Sequence, residues 1–173
     1  MSLFSTILRP GARPGIPGDG YPGDSASLLP WHAFEAAIER SLRMLRGVHI
    51  PVSFLAVHLG AGGRGDAAEA VGEALSQFGP VGWLADGSVG LLYLGPRPPE
   101  KDGDRVLTSR VFSRVERRLH ERGWAALCRD IELAAVHGWT DEIDGSADLV
   151  RALDQHRADY HPASEERRAA RMR

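Results

Sequence analysis

Four residues near two apolar runs have side chains or backbone that could do chemistry. His58 lies near the end of the run Pro51–Leu59, and Asp86, Gly87 and Ser88 form the turn in Val81–Gly95. An imidazole, a hydroxyl and a carboxylate gathered in one cleft would be the parts of a nucleophile and its base. An imidazole beside a carboxylate could instead hold a metal ion. A third possibility is Gly60-Ala61-Gly62-Gly63-Arg64-Gly65, which precedes a helix and could cradle a phosphate through backbone N–H groups.

Spacing weakens each of these readings. Ser88 has no His and acid partners at a recognisable interval, and His58 and Asp86 on opposite faces of a sheet would exclude a shared cleft. The 7 histidines, His32, His49, His58, His120, His137, His156 and His161, contain no His-x-x-x-His pair, and Cys128 is the only cysteine, so no metal site is expected. The glycine loop lacks a Gly-Lys-Ser/Thr and the spacing of a dinucleotide fingerprint, and reads more simply as a short connection.

The elements that must position these residues follow from periodicity. Phe34, Ile38, Leu42 and Leu45 recur at helical spacing and predict a helix over 31–46, with Gly47 as its stop. Pro51–Leu59 is apolar on both faces, with Phe54, Ala56 and His58 on one and Leu55, Val57 and Leu59 on the other, as in a central strand. Asp66 is the expected N-cap of a helix over 67–78. Asp86-Gly87 between apolar runs predicts a hairpin over 81–94, with Leu84, Val89, Leu91 and Leu92 facing the core.

Leu107, Val111, Val115 and Leu119 predict a helix over 104–122 ended by Gly123. Its flank carries Arg105, Arg110, Arg114, Arg117, Arg118 and Arg122, a solvated face or a surface for an acidic protein partner or RNA. Trp124–Leu127 is an ambiguous connector, Ile131–His137 a strand with Cys128 packed at its entrance, and 145–159 a last helix. The fold class read from this order is α+β: β-α-β-β-α-β, a ferredoxin-like antiparallel sheet with helices packed on one face, flanked by further helices. The expected domains are a Pro/Gly-rich leader over 1–30, an α+β domain over 31–160 and a charged tail over 161–173.

Composition limits the partners. The formal charge is −2, with 21 Lys and Arg against 23 Asp and Glu, so no bulk attraction to DNA or acidic lipid is indicated. Lys101 is the single lysine, and with abundant Ala and Gly this reads as GC-rich coding. No apolar run approaches the ~20 residues needed to span a bilayer. The opening residues do not read as a secretory signal, so a cytoplasmic location is expected.

The element order and several matches resemble the GGDEF, or diguanylate cyclase, domain of bacterial signalling proteins, part of the wider nucleotide-cyclase architecture, over residues 31–160. Gly65-Asp66 followed by Ala70, Val71 and Leu75 is similar to the family's Gly-Asp before a helix. Trp83-Leu84-Ala85-Asp86-Gly87-Ser88-Val89 falls where the family has Arg-x-Gly-Gly-Asp/Glu-Glu-Phe. Ile131–Gly138 resembles the strand ending in Ser-x-Gly, and Asp148-Leu149-Val150-Arg151-Ala152-Leu153-Asp154 the Asp-Leu-Leu-x-x-Ala-Asp helix.

The departures concern chemistry. The resemblance implies a metal-binding Asp at the end of the first strand, where His58 stands, and a poor ligand for Mg²⁺ results. It implies two glycines and an acidic pair in the turn, where Ala85, Asp86, Gly87 and Ser88 stand. The segment that reads guanine is shortened, and Ser76-Gln77-Phe78-Gly79 replaces the product-inhibition Arg-x-x-Asp.

The expectation is a degenerate, noncatalytic GGDEF domain, with no catalytic residue, metal or cofactor, acting in signalling or regulation through a protein partner or homodimer. A second expectation is a sensor that binds GTP or a cyclic dinucleotide without turnover. Its vestigial groove would comprise His58, Gly60, Asp86, Gly87 and Ser88.

Overall fold

The computed structural model describes residues 28–60, 65–96 and 103–155. The chain runs through α1 (Trp31–Met44), β1 (Pro51–His58), α2 (Asp66–Leu75), β2 (Val81–Trp83), β3 (Val89–Leu94), α3 (Gly103–Glu121), a 3-10 turn at Ala125–Arg129 and β4 (Glu132–Trp139). A further helix, α4, is described over 146–155. The strands form one 4-stranded sheet in the order β2-β3-β1-β4, and every neighbouring pair is antiparallel.

β1 lies inside the sheet, paired with β3 on one side and β4 on the other, and its six middle residues are buried. Alternation divides its side chains as their pattern predicts. Leu55 and Val57 join one core with Val89, Leu91, the buried residues of α2 and the stripe Leu107, Val111, Val115 and Leu119 of α3. Phe54 and Ala56 join a second core with Phe34, Ile38, Leu42, Leu84, Leu92, Leu149 and Leu153. Helices therefore cover both faces of the sheet, not one. The physical reason lies in the strands: β1 and β3 are apolar on both sides, and each face needs its own layer to exclude water.

The second core depends on small residues in register. Gly82 pairs with Gly90, Gly90 with Ala56, and Ala56 with Ala134, a row across all four strands. Phe34 from α1 fills the trough above the two glycines. A Cβ on Gly82 would stand 2.5 Å from the Cβ of Phe34, and one on Gly90 would stand 2.6 Å from its ring. The ring stacks on Phe54 at 6.2 Å and meets Trp31 edge-on at 6.5 Å.

Element ends differ from expectation in specific ways. α1 stops at Met44, before Gly47. Gly65, with φ 73°, is the N-cap of α2, so Asp66 is the first helical residue; there its carboxylate still faces the positive end of the helix dipole. α2 ends at Leu75, and Phe78 turns back with its N–H on the Leu75 carbonyl. α3 runs from Gly103 to Glu121, one residue earlier at each end than predicted, and Gly123, φ 80°, closes it as expected. There the N–H of Trp124 reaches the Leu119 carbonyl and that of Gly123 reaches His120, a Schellman closure. β4 starts one residue later and ends two later than predicted, because its register against β1 runs from Glu132–His58 to Trp139–Pro51.

Two features close the ends of the fold. Leu28 and Leu29, within the stretch read as leader, dock on the fold: Leu28 is buried over Gly72 of α2, and Leu29 bridges Gly82 in parallel fashion along the outer side of β2. The rest of 1–27, the tail 161–173 and positions 156–159 of the predicted last helix lie outside the described residues. The first N–H groups of α4 are capped from another helix, with the Ser146 N–H donating to Glu39 Oε1 at 2.6 Å. The Ser146 hydrogen bonds, side chain first and then backbone, hold the Glu39 carboxyl below its ordinary range.

Candidate functional site

The β2–β3 turn holds the residues with chemical potential. Leu84 N–H donates to the Ser88 carbonyl and Gly87 N–H to the Leu84 carbonyl, a three-residue loop in which Gly87 takes φ 82°. That left-handed position is the reason for glycine there. Asp86 shapes the same turn: its Oδ1 accepts the Ser88 N–H at 3.0 Å and its Oδ2 accepts the Ser88 hydroxyl at 2.9 Å.

His58 ends β1 beside this turn, its Nδ1 3.4 Å from Ser88 Oγ. His58, Ser88 and Asp86 are thus brought together, and the arrangement on opposite faces that would have separated them is not found. The order of contacts is what limits the chemistry. A serine nucleophile must give its proton to the imidazole. Here the Asp86 carboxylate, at 2.9 Å, is the nearer acceptor for the Ser88 hydroxyl, and the His58 ring nitrogen stands farther off at 3.4 Å. Ser88 is also 1% exposed, which keeps its oxygen away from any substrate. The trio is a turn clamp seated on the end of β1.

The other sequence candidates divide differently. Gly60 takes φ 65° two residues beyond His58, and a Cβ on it would stand 3.4 Å from Asp130. Residues 61–64 of the glycine loop lie outside the described residues. Among the described residues no group of three or more His, Cys, Asp or Glu is placed to hold a metal ion. Cys128 packs at the edge of the first core, in the 3-10 turn that leads into β4, and burial pushes its thiol up toward the protonated form. A second Ser–His contact joins Ser53 Oγ and His137 Nδ1 at 2.8 Å, but Ser53 is also 1% exposed.

Five of the six arginines on the flank of α3 fall into two sets. Arg118 and Arg122 converge on Glu73 of α2; Arg118 Nε lies 3.1 Å and Arg122 2.9 Å from Oε2, and Arg118 also meets Glu121 at 3.2 Å. The hydrogen bond from Arg118, then that from Arg122, outweighs burial and holds the Glu73 carboxyl below its ordinary range. Arg110, Arg114 and Arg117 lie along the groove between α3 and the end of α2. The sequence pattern marked all six arginines alike; the helical interval separates them only once the position of Glu73 is known.

No protein-family model, curated protein or solved structure matches the chain. Among the described residues no helix is long and apolar enough to cross a membrane.

Proposed function

We propose that this chain is a noncatalytic signalling or regulatory domain of the cytoplasm that acts through protein–protein contact on a degenerate GGDEF scaffold. The finer fold reading belongs with it: β-α-β-β-α-β in chain order, with an antiparallel sheet ordered β2-β3-β1-β4, is what a ferredoxin-like, nucleotide-cyclase-like core would have.

One observation carries the functional reading. The sole acid of the turn, Asp86, binds the backbone and hydroxyl of Ser88 and so maintains the hairpin. His58 occupies the strand end where the resemblance would require a carboxylate. A two-metal phosphoryl-transfer site needs several hard oxygen donors converging on the phosphates; here the carboxylate of the turn is engaged within that turn and the end of β1 bears an imidazole, paired in register with Glu132.

Incubation of the purified chain with GTP and Mg²⁺ or Mn²⁺, followed by chromatography, tests the reading. The expected product is none; cyclic dinucleotide above a no-protein control overturns it.

A further inference from the structure

We propose that the row Arg110, Arg114 and Arg117 on α3, facing Gln77 and Phe78, is the docking surface for an extended acidic segment of a partner protein. This rests on the protein-interaction reading above and names its surface and partner chemistry.

The three arginines, with Ser109 and Ser113 each just before one of them, line an open groove of about 340 Å³ whose other wall is Gln77 and Phe78. All three are exposed, and among the described residues none forms an ion pair. Their neighbours behave otherwise: Arg118 and Arg122 are held by Glu73, and Arg151 by Asp148. Like charges three and four residues apart on a helix repel one another, so the row carries a cost within the chain that an external anion removes.

Geometry favours a peptide. Steps of four and three residues along a helix are about 6 and 4.5 Å, and alternate side chains of an extended chain repeat at about 7 Å. Acidic residues on one side of such a segment can meet the row in turn, with the serine hydroxyls and Gln77 available to its backbone and Phe78 to its apolar atoms. A nucleic acid fits less well. Among the described residues Phe78 is the single aromatic side chain lining the groove, too few for successive bases to stack on.

Fluorescence anisotropy with the full chain tests the assignment. The probes are a short labelled peptide alternating Glu and Ser, its Gln/Ser counterpart, and a single-stranded RNA of similar length. The Glu peptide is expected to bind, with affinity falling as salt rises, and the Gln peptide to bind at least about tenfold more weakly. The variant Arg110→Gln/Arg114→Gln/Arg117→Gln should weaken Glu-peptide binding by about tenfold or more, while Arg151→Gln leaves it unchanged. Amide shift changes on the unmodified chain should centre on Ser109 and Ser113, which locates the site even if the triple variant misfolds.

No binding of the Glu peptide, equal binding of the Gln peptide, an unchanged triple variant or tighter binding of RNA would each overturn the assignment. Lack of peptide binding together with lack of cyclic dinucleotide product removes the docking surface and leaves the noncatalytic reading standing. Product formation together with peptide binding does the reverse.

Discussion

Replacing Gly90 with alanine should destabilise the fold even though alanine is small and apolar. The new Cβ would stand 2.6 Å from Phe34 Cε1, 2.9 Å from Leu84 Cδ2 and 3.1 Å from Leu84 Cγ. Carbon atoms pack at about 3.5–4.0 Å, so the overlap with the ring is about 1 Å. Phe34 is fully buried between Phe54 and Trp31 and has little room to retreat. Overpacking of this kind costs about 1–3 kcal/mol, and loss of glycine's unfolded-state freedom returns about 0.5–1 kcal/mol. A net loss of about 1–2 kcal/mol follows, or roughly 4–8 °C in Tm for a domain of this size.

Phe34→Leu shortens the offending side chain and by itself should cost about 1–2 kcal/mol of burial. If the ring is the obstacle, Gly90→Ala in the Phe34→Leu background costs less than in the parent, with a coupling of at least about 0.5 kcal/mol. Urea denaturation followed by tryptophan fluorescence measures all four corners of this cycle. A Gly90→Ala protein as stable as its parent, or strict additivity with Phe34→Leu, would refute the view that α1 is seated through the glycine pair.

Two further outcomes follow from other contacts. Glu73 and Glu39 titrate lower in the folded chain than in the unfolded one, Glu73 through Arg118 and Glu39 through Ser146. Their contribution is therefore complete above the ordinary glutamate range and is lost as pH falls through the lower folded values. Denaturation midpoints should decline below about pH 5, with a shallower decline in Glu73→Gln; parallel profiles would argue against a stabilising pairing of Glu73 with Arg118. Leu28→Ala should cost about 2–4 kcal/mol and speed hydrogen exchange at the Trp83 N–H, which donates to the Leu29 carbonyl at 2.8 Å. Unchanged exchange there would mean that Leu29 stays on β2 without its neighbour as anchor.

The groove and the turn clamp use charge differently. At the turn, charge is used internally, since Asp86 accepts from Ser88. Along α3, positive charge beyond the reach of Glu73 remains available to a partner. A chain with net charge −2 gains little from long-range attraction to an anion, so recognition along this row would rest on local pairing and be sensitive to salt.

The sequence by itself determined the elements and most of their inward faces. Phe34, Ile38 and Leu42 on α1, the stripe Leu107–Leu119 on α3, the two apolar faces of β1 and the Asp86-Gly87 reversal are all set by interactions a few residues apart, and all four stand in the structure. Helix ends were less legible, because Gly65 rather than Asp66 is the cap of α2.

Only the tertiary structure decided which residues meet across the chain. Gly82 and Gly90 read as ordinary strand glycines until Phe34 is placed above them. The order of contacts at His58, Ser88 and Asp86 required β1 to be registered against β3, since the same three residue types in another order could form a nucleophile and its base. Likewise, Arg118 and Arg122 were set apart from the other arginines of α3 once packing of α2 on α3 brought Glu73 to them. Periodicity and turn chemistry act over one turn or one pleat, whereas counterions, proton acceptors and packing partners come from strands and helices tens of residues away.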